Sequence, residues 1–103
     1  MNGRRVVITG MGVISAIGKN TAEFWQSLCA GCSGIGPIEA VDRTQLKYQN
    51  GAEVRDFNPL THFSKKQADL LDRSSQFALV AARQAVADVA IEWTPVLRFQ
   101  MGI

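Results

Sequence analysis

A chain of 103 residues is the size of one domain, and 47% apolar with 19% charged residues is an ordinary globular composition. A formal net charge of +2 gives no electrostatic pull toward nucleic acid or an anionic membrane. No apolar run approaches the ~20 residues that span a bilayer.

Arg4 and Arg5 precede an apolar stretch, but Gly10, Gly12, Ser15 and Gly18 break it, so it reads as part of the fold and not as a signal peptide. Without an export signal the expected compartment is the cytoplasm, where Cys29 and Cys32 are reduced thiols. The β-branched run Val6, Val7 and Ile8 predicts a short strand over Arg4 to Thr9, buried on both faces as in a parallel sheet. A glycine-punctuated loop follows to Gly18. Asn20, with Glu23 three residues on, predicts a capped helix to about Ala30, stopped by Gly31 and Gly34.

From Ile35 to Leu60 no period is sustained, and one short strand is expected near Ala52 to Val54. Ser64 and Gln67 form a second capping box that opens a short helix through Leu71. Asp72 then caps a longer helix from Arg73 to about Ala90. Between Phe77 and Ala90 the polar residues of that helix are only Arg83, Gln84 and Asp88. A helix apolar on nearly every side belongs inside a larger protein. Leu97 to Ile103 reads as the start of a further strand, and together these features imply that more sequence follows.

Few motifs carry chemistry. Gly10-Met11-Gly12 after a strand invites a dinucleotide-binding reading, but Ser15 stands where the third glycine belongs and Ala30 where an acidic residue belongs. Gly18-Lys19-Asn20 lacks the hydroxyl residue of a phosphate loop. A tight glycine turn is the better account. Cys29 and Cys32 have C-x-x-C spacing, yet they lie at a helix C-terminus, whereas redox pairs use the N-terminal end. Zinc would need two more ligands, and His62 is the single histidine. His62 itself reads as a loop residue, solvated or locally hydrogen-bonded. Taken as chemistry, the sequence contains no catalytic constellation, no cofactor site and no metal site.

The string as a whole is more informative. The run from Arg4 through Gly18 resembles the opening strand and loop of the β-ketoacyl-acyl-carrier-protein synthases, particularly the elongating type II enzymes. The resemblance continues through Asn20, Thr21, Phe24, Trp25, Leu28, Ala30, Gly31 and the run Ser33 to Ile35. It resumes at Asp56, Phe57 and Asn58, and again from Asp72 to Ala78. It implies an α/β fold: the N-terminal part of a thiolase-like, layered αβαβα architecture, with residues 1–103 an incomplete portion of the synthase's N-terminal domain. It also implies a cytoplasmic homodimer without cofactor, which condenses an acyl chain held on a cysteine with malonyl-acyl carrier protein as carbon dioxide leaves. The nucleophilic cysteine and two histidines of that reaction fall outside this chain, and neither Cys29, Cys32 nor His62 matches them.

One functional feature of the family falls within the chain. Basic residues on the short helix meet the acidic acyl carrier protein, and Lys65 and Lys66 match the start of that pattern. Asp69 and Leu70 stand where later basic residues are expected, and Ala16 replaces a loop proline. These departures point to a paralogue in polyketide or specialised lipid synthesis. The other readings are a non-catalytic interaction protein derived from a truncated synthase, or a nucleotide-binding module.

Overall fold

In the computed structural model, which describes residues 3–101, four α-helices and one small antiparallel sheet follow in the order α1 (Thr21–Cys29), β1 (Ile35–Pro37), β2 (Asn50–Ala52), α2 (Lys65–Leu70), α3 (Arg73–Val89) and α4 (Pro95–Gln100), with a 3-10 turn at Pro59–Thr61 before α2. Helix boundaries follow their local signals closely. The Asn20 side chain accepts from Glu23 N at 2.8 Å, and the Glu23 carboxylate accepts from Lys19 N at 2.9 Å. At the other end of α1, Gly31 takes a positive φ of 72°. Gly31 N then reaches Leu28 O at 3.2 Å and Cys32 N reaches Ser27 O at 2.9 Å, the paired bonds of a Schellman cap. Asp72 caps α3 by accepting from Ser75 N at 2.7 Å.

Strands depart from expectation. Arg4 to Thr9 forms no strand, and Val6 and Ile8 are 94% and 83% exposed. A strand exists only through its ladder, so β-branched propensity without a neighbour leaves the segment unpaired; no described residue lies alongside to pair with it. The strand expected near Ala52 to Val54 begins earlier, at Asn50. It pairs with Ile35–Pro37 in the register Ile35 to Ala52, Gly36 to Gly51 and Pro37 to Asn50. That hairpin was illegible because its pairing depends on side chains across a long loop. The Glu53 carboxylate accepts from Glu39 N and Ala40 N at 3.1 Å, and Gln49 Nε2 donates to Arg43 O and Leu46 O.

The strand expected from Leu97 is instead helix through Gln100, while Gly102 and Ile103 lie outside the described residues. Thr94 supplies the reason: its Oγ1 accepts from Leu97 N at 3.2 Å, and Pro95 occupies the first helical position, where a missing N–H costs nothing.

The segment Gly10 to Val13 lies along α3. Gly10 and Gly12 face the helix backbone so closely that a β-carbon on either would overlap the carbonyl oxygen of Ala85 or Ala81. Their role is close approach. The tight turn predicted for this loop comes a few residues later, where Ser15 and Gly18 form an isolated bridge. The polar residues of the apolar helix act as brackets. Asp88 Oδ2 accepts from Met11 N at 3.0 Å, and Gln84 Oε1 accepts from Val13 N at 3.0 Å while its Nε2 donates to Lys19 O. Arg83 Nη1 donates to His62 O at 2.9 Å. Among the described residues only Phe63, Gln76 and Val80 are buried.

Candidate functional site

Helix α2 carries the residues that the sequence nominated. Ser64 and Gln67 form the reciprocal capping box: Gln67 N donates to Ser64 Oγ at 3.2 Å, and Ser64 N donates to Gln67 Oε1 at 3.1 Å. This fixes the first turn, in which Lys65 and Lys66 are exposed. Neither lysine forms an ion pair among the described residues, where Arg55 with Glu53 at 4.0 Å is the pair formed. A cation near a helix N-terminus is disfavoured by the helix dipole, so helix stability does not explain the pair.

Two residues that sequence reasoning passed over hold α2 in place. Gln76, only 7% exposed, donates from Nε2 to Ala68 O at 3.2 Å and to Leu71 O at 3.3 Å. It thereby satisfies carbonyls left open at the end of α2. Nothing in the sequence distinguishes this glutamine from a surface one except its place among apolar neighbours in α3. On the other side, Arg83 lies 4.7 Å over the buried Phe63 ring while its guanidinium holds the His62 carbonyl. The residue after α2, Leu71, runs directly into the Asp72 cap of α3.

Asp69 and Leu70, the positions without the expected basic residues, are exposed on α2. Leu70 borders a slot of about 250 Å³ between α2 and α3, lined also by Phe63, Gln67, Leu71, Leu79 and Arg83.

Elsewhere the residues weighed for chemistry are placed without partners for it. Cys29 and Cys32 are free, exposed thiols at the end of α1. His62 stacks on Phe57 with centroids 5.4 Å apart and planes 10° from parallel. No group of three or more metal-ligating side chains converges among the described residues. Lys19 Nζ donates to the Asp56 carbonyl at 2.8 Å, and the space before Gly10 and Gly12 is filled by α3 and that before Gly18 by α1, so neither is arranged as a phosphate cradle. Three carboxyls are held below their ordinary range by hydrogen bonds: Asp42 by Thr44, Glu53 by the Ala40 and Glu39 amides, and Asp72 by the side chain and amide of Ser75. All three serve caps and turns. No described helix is long and apolar enough to cross a membrane.

Comparison with known proteins gives this arrangement its context. The 3-oxoacyl-[acyl-carrier-protein] synthase 2 of Coxiella burnetii is 45% identical over 92 residues, covering 89% of this chain and 22% of the relative. The proteins of the same name from Synechocystis and Staphylococcus aureus are each 39% identical, over 88 and 89 residues. The chain thus spans about a fifth of the length of these relatives. Among solved structures, the ishigamide ketosynthase/chain length factor superposes with a TM-score of 0.77 at 40% identity, covering 86% of this chain and 22% of that one. The α/β arrangement here is accordingly that of the N-terminal part of a thiolase-like ketosynthase. The profile of the β-ketoacyl synthase N-terminal domain matches residues 3–102, and the chain belongs to that family.

Proposed function

We propose that this chain forms the N-terminal part of a 3-oxoacyl-acyl-carrier-protein synthase, a cytoplasmic homodimer that needs no cofactor. The intact enzyme joins an acyl group to malonyl-acyl carrier protein by decarboxylative condensation. The observation that carries the reading is the collinear match of residues 3–102 to the synthase N-terminal domain, with relatives named for that activity. The structural likeness to a ketosynthase/chain length factor, together with Ala16, Asp69 and Leu70, supports a place in polyketide or specialised lipid synthesis.

In the proposed reaction a cysteine takes the acyl group from its thioester, and the malonyl unit loses carbon dioxide to give an enolate equivalent. That carbanion attacks the acyl-enzyme carbonyl and releases the cysteine. Two histidines stabilise the developing oxyanions. This chain contributes neither the nucleophile nor the histidines. Its part is architectural: the Gly10 to Val13 segment packed on α3, and the presentation of Lys65 and Lys66 on α2. The lysines are the proposed contact for the carboxylate-rich carrier protein, acting mainly on encounter rate and orientation.

The test is turnover of acyl- and malonyl-carrier-protein substrates by the full-length protein and by residues 1–103 alone. Condensation by the first and none by the second is expected. Absence of condensation by the full-length protein would favour the non-catalytic interaction protein.

A further inference from the structure

We draw no further inference here: the strongest candidate, the apolar groove of about 590 Å³ between α1 and the Met11 to Val13 segment, walled by Met11, Val13, Phe24, Trp25 and Leu28, is an unpartnered face, and nothing in the structure shows what covers it.

Discussion

Gly12 shows how a residue can be conspicuous in the sequence for one reason and needed in the structure for another. Its place after a β-branched run invites a dinucleotide-binding reading, yet an added β-carbon would lie within 2.7 Å of Gln84 Cβ as well as overlapping the Ala81 carbonyl. Gly12→Ala in the full-length protein is therefore expected to cost roughly 1–3 kcal/mol, seen as a lower thermal midpoint. Gly3→Ala, which meets nothing within 4 Å, should leave the midpoint unchanged. Asp72 makes a pH prediction. Its carboxyl lies below the ordinary aspartate range because the Ser75 side chain and amide bond the ionised form. A depressed folded-state value means that the stabilisation is complete above the unfolded-state value and is lost as pH falls through the folded-state one. The Ser75 amide resonance should accordingly titrate only below the ordinary aspartate range, and in Asp72→Asn that titration should vanish.

At the level of elements, what was legible was local. Asn20, Ser64 and Asp72 announce α1, α2 and α3, because a cap bonds backbone only two or three residues away, and Gly31 announces the end of α1 by its positive φ. The pairing of β1 with β2 across residues 38–49 was not legible, nor was the role of Gln76. Both depend on partners brought near by the rest of the fold. The capping box places Lys65 and Lys66 in the first turn of α2, a local signal that the sequence carries. The slot between α2 and α3 was not legible, since Phe63, Leu70 and Leu79 meet only once α2 and α3 have folded back. Ser64→Ala removes one half of the capping box and should cost about 1 kcal/mol. Loss of amide-exchange protection at Gln67 and Ala68 would report it locally, whereas unchanged protection would show that packing of Phe63 and Gln76 suffices.

For the molecule as a whole, the radius of gyration of 17.6 Å, with extents of 56 by 39 by 23 Å, exceeds the ~13 Å of a compact domain of this length. Val6, Val7, Ile8, Trp25, Leu28, Val86 and Phe99 are all exposed, a broad loss of apolar burial for a stable monomer. The all-round apolar character of α3 foreshadows this in the sequence. Residues 1–103 in isolation should therefore be poorly soluble or only partly ordered. A sharp, cooperative unfolding transition from a monodisperse monomer would refute that. The same chain should show no turnover of acyl and malonyl carrier-protein substrates, because removing a member of a catalytic unit costs orders of magnitude in rate.

The brackets on α3 have a metric consequence. Asp88 and Gln84 stand four residues apart and hold Met11 and Val13, two residues apart; Ala85 and Ala81, again four apart, face Gly10 and Gly12. Four helical residues rise about 6 Å and two residues of nearly extended chain advance about 6.6 Å, so the two elements share one ruler, graduated once per helical turn. A single residue inserted between Gly10 and Val13 would move the marks beyond it by half a graduation relative to those before it, and would set a side chain against the α3 backbone. An equal insertion within 38–49 would be absorbed by the loop. The first should abolish soluble full-length protein and the second should not.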